Sequence, residues 1–449
     1  MKLNILPLSL LLSHAGLFGL AAAEGPNHET QDASSSNLAD TVAYVGLEAE
    51  RAQDVINIAS MPVAIQHDSA RHRQEKAHLM KRMDRKSGKW STVHPRYRLL
   101  EALYGFTKYR ERNMAELDRW RNLYKNMGKK QKQTLEHVVQ YTKKLNDIEE
   151  SIYENEITCK AIIAGAMQFY NIDQQELNDH MKDASQDGRQ ADRMSTSQTL
   201  KHFVRDWADE GAKERNEAFP CILSTLSSQK TDDSGNRPLK VLLPGSGVGR
   251  LGHEVANLGG FEVTINEWSM YMNVGYRYLE AQTKADAFSI HPFIDGMSHH
   301  ATTNDMLRKI TAPNITPHPA VLLVEGDFNT AFNDQPGHYD IVVTHFFIDT
   351  ARNLMAYFDT IHRLLKPGGH WINFGPLLYG TGPFVQLSLD EIVAVVEAMG
   401  FEFEDLGDVC GQLTFEGKKV RSKEAEYGFN KKALTRNAYL AQAWSVRKI

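Results

Sequence analysis

The chain is 449 residues long, with 42% hydrophobic and 24% charged residues and a formal net charge of -5. This length allows about two or three folding units, and the ordinary composition excludes a largely disordered chain and a membrane-embedded body. The slight acidity argues against a general nucleic-acid binder, which needs a basic surface, and favours chemistry on a small molecule.

The first 23 residues have the layout of a secretory signal peptide. Lys2 precedes a leucine-rich run, and the small residues Ala21–Ala23 stand before Glu24. This pattern predicts cleavage after Ala23. The apolar run is short and interrupted, so no stable membrane span is expected from it. The polar, turn-rich residues 24–40 predict a flexible lead-in.

Three cysteines, Cys159, Cys221 and Cys410, are scattered along the chain. Their spacing fits no metal site, and their odd number argues against a disulfide framework. We therefore expect ordinary thiols and no bound metal.

Residues 41–182 are predicted to form a helical N-terminal module. Between about 95 and 170, apolar and aromatic positions recur at spacings of three and four, which is typical of amphipathic helices. Small and polar residues break this pattern at 183–197, which we interpret as a linker. A further helical stretch follows, and residues 198–449 are assigned to a second domain.

In that second domain, short apolar runs alternate with helical patterns. The runs KVLLPGSG, FEVTINEW, AVLLVEGDF, YDIVVTHFFID and HWINFGPL have the character of buried strands. Such alternation is typical of a parallel sheet with helices on both faces. The predicted fold class is therefore α/β, with a Rossmann-like sheet that follows the helical module.

The first predicted strand leads into a turn that contains Gly245, Gly247 and Gly249. Glycine lets the backbone turn tightly and approach a ligand closely, and Glu267 ends the next strand, where it can accept the ribose hydroxyls of an adenosine. A tight turn without a ligand is the alternative. Arg250 stands where the dinucleotide fingerprint requires glycine, so a nicotinamide oxidoreductase is disfavoured.

Two further features follow in an order common among cofactor-binding α/β domains. Asp327 and Phe328 come directly after an apolar strand, where the carboxylate can take an adenine amino group and the ring can stack on the base. Such residues also form ordinary strand-end turns. Lys366–Gly369 then predicts a turn between a helix and a last core strand.

Taken together, the motifs PGSGVGRLG, INEWS, GDF, HFFIDTA, YFDTIHRLLKPGGHWINFGPLLY and LKHFVRDWADEGAKER resemble the carnosine N-methyltransferase family. The resemblance runs from about Tyr97 to the C-terminus. It implies an enzyme that uses S-adenosylmethionine to methylate an imidazole nitrogen of carnosine, or of a related histidine-containing dipeptide, so that carnosine becomes anserine. Such a displacement requires neither a metal nor a covalent intermediate.

Carried over position by position, the resemblance implies cofactor contacts from several segments of the chain. They are His202, Arg205, Gly245, Gly247, Gly249, Glu267, Asp327, Phe328 and His345. Arg205 suits the methionine carboxylate, which a guanidinium can bind through two hydrogen bonds. His202 stands where the family has glutamine, and His345 replaces a smaller residue of the animal enzymes.

For the substrate, the resemblance implies contacts at Asp349, Tyr379, Gly380 and Tyr439, with Asp349 as the catalytic residue. A carboxylate can accept the N–H of one imidazole nitrogen and leave the other lone pair aimed at the methyl group. Asp349 also suits the N-cap of the following helix. Gly380 stands where the animal enzymes have histidine. Tyr379 could supply a hydroxyl in compensation or bond to backbone, and Tyr439 could pack in a core strand.

Several alternatives stay open. A methyltransferase of the same fold could act on another small molecule or on a peptide histidine, and a protein of this fold could bind the cofactor without catalysis. The leader predicts the secretory pathway or secretion, whereas the family and the cytosolic supply of cofactor favour the cytosol and nucleus. A homo-oligomer is compatible with the sequence, and the helical module could bind an unidentified partner.

Overall fold

The computed structural model describes residues 69–230, 237–380 and 382–449. The predicted signal peptide, the lead-in and the beginning of the helical module lie outside the described residues, as does much of the loop before the first strand. All the described residues belong to one unit.

The N-terminal half is helical, as the apolar spacing predicts. Its helices are α1 Ala70–Met83, α2 Pro95–Thr107, α3 Tyr109–Lys125, α4 Lys129–Val139, α5 Tyr141–Tyr170 and α6 Gln174–Gln186. The next helix begins at Arg193, so only residues 187–192 of the predicted linker are non-helical. Within the described ranges, no helix is long and apolar enough to cross a bilayer.

Helices α7 (Arg193–Trp207) and α8 (Ala212–Ser228) meet at a sharp corner. Gly211 makes this corner feasible, because a Cβ there would lie 2.0 Å from the carbonyl oxygen of Arg205. Arg215 donates to the carbonyl oxygens of Arg205 and Ala208 at 2.6 and 2.9 Å, which satisfies the C-terminus of α7. These contacts hold the last turn of α7 in place, and Arg205 with it.

The remaining chain forms a nine-stranded sheet, a separate strand pair and the covering helices. The strands are β1 Leu239–Pro244, β2 Phe261–Glu267, β3 Phe288–Ile290, β4 Ile310–Ala312, β5 Leu322–Glu325, β6 Tyr339–His345, β7 Leu365–Gly375, β8 Phe401–Glu404, β9 Gln412–Leu413, β10 Arg421–Glu426 and β11 Ala438–Lys448. The helices are α9 Arg250–Asn257, α10 Met270–Glu280, α11 Thr303–Leu307, α12 Phe328–Ala331, α13 Leu354–Leu364 and α14 Leu389–Ala398.

The main sheet has the strand order β5-β2-β1-β6-β7-β11-β10-β9, with β8 also paired to β11. Strands β5, β2, β1, β6 and β7 are parallel, and β11 is antiparallel to β7. All five strands predicted from the sequence lie in this parallel part, so the α/β prediction is confirmed. The strand order reverses between β1 and β6, and ligands of open α/β sheets bind at the carboxyl ends of the strands at such a point.

Both faces of the sheet are covered. Val241 and Leu243 belong to the apolar cluster on the side of α8 and α9, whereas Leu242 belongs to the cluster on the side of α13 and α14. This two-sided burial explains why the strands read as continuous apolar runs. The predicted Lys366–Gly369 turn lies within β7 as an irregularity, where the register with β6 shifts.

The N-terminal helices share a hydrophobic cluster with the second domain. Leu99 of α2 and Ile152 of α5 belong to the same buried cluster as Phe203 of α7 and Val274 of α10. The helical module is therefore packed against helices of the second domain and is not a separate body.

One expectation about the cysteines is wrong. Cys221 of α8 and Cys410 form a buried disulfide that joins residues 189 positions apart, and Cys159 is a buried free thiol. The pairing depends on the tertiary fold, which brings the turn before β9 onto α8, and the spacing of cysteines along the chain does not indicate it.

Candidate active site

The turn after β1 contains glycines in left-handed backbone conformations. Gly245, Gly247 and Gly249 have φ values of 65, 58 and 81°, a region that favours glycine. A Cβ on Gly245 would lie 2.2 Å from Phe347, and one on Gly247 would lie 3.5 Å from His202 Nδ1. The turn therefore packs tightly on the segment after β6, and Gly247 faces α7 across a narrow space.

Glu267 ends β2 beside this turn, as predicted. Its Oε2 accepts the Gly247 N–H at 2.8 Å, and its Oε1 accepts the Ser269 N–H at 2.7 Å. Burial raises the pKa of Glu267, and these backbone donors oppose that shift. Both carboxylate oxygens are held in position, and each keeps a lone pair that a ligand hydroxyl can use.

Arg98 of α2 also reaches this end of the site, although sequence reasoning missed it. Its guanidinium carbon lies 3.6 Å from the ring centre of Trp268, and Nη2 donates to the Trp268 carbonyl oxygen. Burial lowers the pKa of Arg98 to about 10, while the charges of Glu267 and Asp327 act in the opposite direction. An arginine among the charged residues of a helix carries no sequence signal for such a position.

Asp327 and Phe328 have different surroundings. Asp327 is exposed and caps α12 by accepting the Asn329 N–H at 2.9 Å. Phe328 is buried, with its ring edge-on to Phe347 and Tyr357 at 5.5 and 5.6 Å between ring centres. Asp327 is open to a ligand, whereas Phe328 supports an aromatic cluster behind it, and adenine contacts at both positions stay a prediction.

Arg205 and His202 lie one turn apart on α7, next to the glycine turn. Arg205 Nε donates to Asp206 Oδ1 at 2.9 Å, and Nη2 lies 3.2 Å from His202 Nδ1. The ring of Tyr427 covers the guanidinium at 4.4 Å. Arg205 Nη1 is buried and has no hydrogen-bond partner among the residues that the structure describes. A largely buried cation with one unused, buried donor atom therefore lies where the methionine carboxylate is expected.

His345, at the end of β6, lies close to Arg205. Burial and the charge of Arg205 lower the pKa of His345 to about 3, so the imidazole is neutral near pH 7. Its Nε2 is buried and makes no hydrogen bond within the described ranges. Burial and Arg205 likewise lower the pKa of His202 well below its usual value. The two predicted histidines therefore add no positive charge beside Arg205.

Asp349 lies in a short turn of 3-10 helix after β6, at the carboxyl edge of the sheet. It is 6% exposed, and its Oδ2 accepts the Leu378 N–H at 3.0 Å. Burial raises the pKa of Asp349 to about 7. Asn353 caps α13 by accepting the Ala356 N–H, so the alternative role of Asp349 as that N-cap is wrong.

An aromatic wall, formed by Phe346, Tyr427 and Tyr439, connects Asp349 with Arg205. The Phe346 ring stacks on Tyr427 at 4.9 Å and is edge-on to Tyr439 at 6.1 Å. Burial raises the pKa of Tyr439, and the nearby charges of Tyr427 and Asp349 add to the shift. Tyr439 is half-buried and faces this wall, and it is not packed within the core. Sequence reasoning missed Phe346 and Tyr427.

The other predicted substrate residues lie in the segment after β7. The Tyr379 hydroxyl donates to the Leu387 carbonyl oxygen at 2.8 Å, which is the backbone-bonded alternative. Gly380 follows it and is half-buried. Tyr379 therefore does not replace the missing histidine with a hydroxyl that is open to a ligand.

Comparisons with known proteins identify the family to which the chain belongs. The model of one protein family, described as "Carnosine N-methyltransferase", matches residues 183–449. The chain belongs to the carnosine N-methyltransferase family. The carnosine N-methyltransferase of Schizosaccharomyces pombe is 32% identical over 288 residues, which are 58% of this chain and 75% of that protein. The Rattus norvegicus enzyme is 36% identical over 218 residues, 46% of this chain, and the chain spans 54% of that relative.

As a member of the carnosine N-methyltransferase family, the chain is an S-adenosylmethionine-dependent methyltransferase, and its residues fit this cofactor. Arg205 Nη1 offers a buried donor to the methionine carboxylate, the glycine turn permits close approach, and Glu267 offers oxygens to the ribose. Arg250 is buried and donates to the Asp206 carbonyl oxygen and to Asn314 Oδ1 at 2.9 and 2.7 Å. Its bulk occupies the position that dinucleotide-binding turns reserve for glycine.

Proposed function

We propose that the chain transfers a methyl group from S-adenosylmethionine to an imidazole nitrogen of carnosine or of a related histidine-containing dipeptide. One observation carries this proposal above the others: a buried carboxyl group, Asp349, lies beside an aromatic wall at the point where the strand order reverses. The relatives named as carnosine N-methyltransferases support the choice of acceptor.

The residues at the cofactor end of the site bind and orient S-adenosylmethionine. When bound, S-adenosylmethionine would supply a methyl carbon that the lone pair of the acceptor nitrogen attacks, with the thioether S-adenosylhomocysteine as the leaving group. Arg205 would neutralise the methionine carboxylate, and Glu267 would accept hydrogen bonds from the ribose hydroxyls. Neutral His345 adds no charge that would repel a sulfonium.

Asp349 orients the acceptor. Leu378 N–H holds one carboxyl oxygen, and the remaining lone pairs can accept the N–H of one imidazole nitrogen, which leaves the other nitrogen unprotonated. Methylation makes the ring cationic, and the ionised Asp349 stabilises that charge. Because its pKa is about 7, the carboxylate can take the ring N–H proton and release it to solvent near neutral pH.

The aromatic wall provides a suitable medium for this transfer. Phe346, Tyr427 and Tyr439 form apolar ring surface between Asp349 and Arg205, and aromatic rings attract cations such as a sulfonium or a methylated imidazolium. The wall therefore stabilises both the sulfonium of the cofactor and the cationic methylated imidazole, although the aromatic rings carry no net charge.

The proposal is tested by transfer of labelled methyl from S-adenosylmethionine to carnosine, homologous histidine dipeptides, free histidine and a histidine-containing peptide. We expect label on carnosine or a homologous dipeptide, and loss of that label with Asp349→Asn. Label confined to the peptide would contradict the dipeptide proposal and favour a peptide histidine as the acceptor. Gly380 permits that choice because it lacks the side chain of the histidine that the animal enzymes have there. No transfer to any acceptor would contradict the proposal altogether.

We also propose that the chain enters the secretory pathway. The signal-like first 23 residues and the buried Cys221–Cys410 disulfide support this compartment, because disulfides persist in oxidising environments. Mass spectrometry of the native protein should find a chain that starts at Glu24 with this disulfide formed. An intact Met1 with reduced cysteines would contradict the proposal.

A further inference from the structure

A carboxylate of α8 that the resemblance did not assign lies next to the site. Glu214 Oε1 accepts the N–H groups of Gly428 and Phe429 at 3.1 and 2.7 Å. Glu214 Oε2 is buried and has no hydrogen-bond partner in the described part of the chain. A buried carboxylate oxygen without a hydrogen-bond donor is unfavourable, so we expect a ligand to donate a hydrogen bond to this atom.

The position of Glu214 relates it to Arg205. The segment 427–429, which Glu214 holds through backbone bonds, places the rings of Tyr427 and Phe429 at 4.4 and 5.3 Å from the Arg205 guanidinium. The Phe429 ring is also 5.1 Å from that of His202. Burial raises the pKa of Glu214, and the charge of Arg205 opposes the shift. Glu214 and Arg205 therefore lie under the same short segment.

The two side chains present complementary unused atoms. Arg205 Nη1 is a buried donor and Glu214 Oε2 a buried acceptor, and neither has a protein partner within the described ranges. A donor on a cation and an acceptor on a carboxylate, both next to the segment 427–429, match the carboxylate and ammonium groups of a zwitterionic amino acid. We propose that Glu214 Oε2 binds the α-ammonium group of the cofactor's methionine end, opposite Arg205, which binds its carboxylate.

A neighbouring residue shows that the structural role of Glu214 does not require such an atom. Glu217, on the same helix, accepts the Glu426 N–H at 2.7 Å and so also attaches α8 to the C-terminal hairpin. Its other oxygen lies 3.8 Å from Lys213 Nζ. A carboxylate can thus hold this hairpin with a lysine beside it, and Glu214 differs by keeping a buried oxygen without a partner.

This inference rests on the proposed use of S-adenosylmethionine, and binding measurements test it apart from catalysis. Calorimetry compares S-adenosylhomocysteine with 5′-methylthioadenosine, which has the same adenosine and thioether but lacks the amino acid. For Glu214→Gln, we expect the Kd of S-adenosylhomocysteine to rise about 10- to 100-fold and that of 5′-methylthioadenosine to stay unchanged. Glu217→Gln, the matched control, should change neither.

Other outcomes would overturn the assignment. An equal loss of affinity for both ligands would show that Glu214 only holds the segment 427–429. The Glu214→Asp variant keeps the charge, and its melting temperature would report any general unfolding. Unchanged cofactor affinity with a higher KM for the dipeptide would give Glu214 to the amino group of the substrate instead. If the predicted binding pattern appears but no dipeptide is methylated, the Glu214 assignment stands and the proposed acceptor fails.

Discussion

The two ends of the active site are built in different ways. At the cofactor end, Gly245–Gly249 and Glu267 come from one strand-helix-strand segment, and backbone N–H groups hold the carboxylate. At the acceptor end, Phe346 follows β6 whereas Tyr427 and Tyr439 come from the β10–β11 hairpin, and burial controls the charge of Asp349. Backbone geometry shapes the cofactor end, and burial sets the charge at the acceptor end. Substitutions at the two ends should therefore affect different properties of the protein.

The largest effect is expected at the acceptor end. Asp349→Asn removes the ionisable acceptor, and methyl transfer to the dipeptide should fall about 100- to 1,000-fold. The affinity for S-adenosylhomocysteine should stay unchanged, because Arg205 and Glu267 keep their contacts. Steady-state kinetics and calorimetry measure the two quantities, and a parallel loss of cofactor binding would break the distinction between the ends.

The pH dependence sharpens the same comparison. Since the ionised form of Asp349 accepts the imidazole N–H, kcat/KM should rise as pH increases through about 7. The free energy of unfolding changes with pH in the opposite direction. The pKa of Asp349 is raised from 3.8 to about 7 by folding, so its contribution is present below pH 3.8 and is lost as pH rises through 7. Asp349→Asn should therefore raise the melting temperature at pH 8 and leave it nearly unchanged at pH 4, whereas a lower value at pH 8 would contradict this account of burial.

At the cofactor end, Gly245→Ala should damage both stability and binding. The new Cβ would lie 2.2 Å from Phe347 at a φ of 65°. We expect a loss of about 3 kcal/mol in the free energy of unfolding and about 10-fold weaker S-adenosylhomocysteine binding. Gly259→Ala is the matched control, because its φ is 68° and no atom lies within 4 Å of the added Cβ. Denaturant unfolding should show a larger loss in the free energy of unfolding for Gly245→Ala than for Gly259→Ala. Equal losses would show that backbone strain alone, and not the contact with Phe347, destabilises the protein.

The same contrast explains what the sequence could predict. The strands and Gly245–Glu267 obey local rules of apolar periodicity and left-handed backbone, so the fold and the cofactor end were predictable. Arg98 and Tyr427 reach the site only through tertiary packing, and nothing next to them in the chain indicates their contacts. The disulfide was missed for the same reason, since Cys221 and Cys410 are 189 positions apart.

The disulfide tests how far the support of α8 matters for the cofactor end. Replacing Cys221 and Cys410 together with alanine should lower the free energy of unfolding by about 2–3 kcal/mol, because the bond closes a long loop. Cofactor affinity at low temperature should change little, since neither sulfur lies among the site residues. Cys159→Ala, at a buried free thiol, is the control and should cost about 1 kcal/mol. Thermal unfolding without reductant measures both, and equal stability of the double variant and the wild type would contradict a structural role.

The smallest effect concerns Gly380. Gly380→His introduces the side chain that the animal enzymes have there, and one added hydrogen bond should lower the KM for carnosine about threefold. The affinity for S-adenosylhomocysteine should be unaffected, because the change is confined to the acceptor end. Gly380→Ala serves as the control without a polar group. An equal effect of both substitutions would mean that the loop shape, and not the imidazole, controls the acceptor.

The most direct test of the central claim is the position of the transferred methyl group. The full chain is incubated with carnosine and S-adenosylmethionine that carries a ¹³C-labelled methyl group, and the product is analysed by two-dimensional NMR. We predict a labelled methyl on an imidazole nitrogen, namely the one that does not donate its N–H to Asp349. Label on the amino group of the dipeptide, or no transfer by a protein that binds the cofactor, would contradict the assignment of Asp349 and of the acceptor.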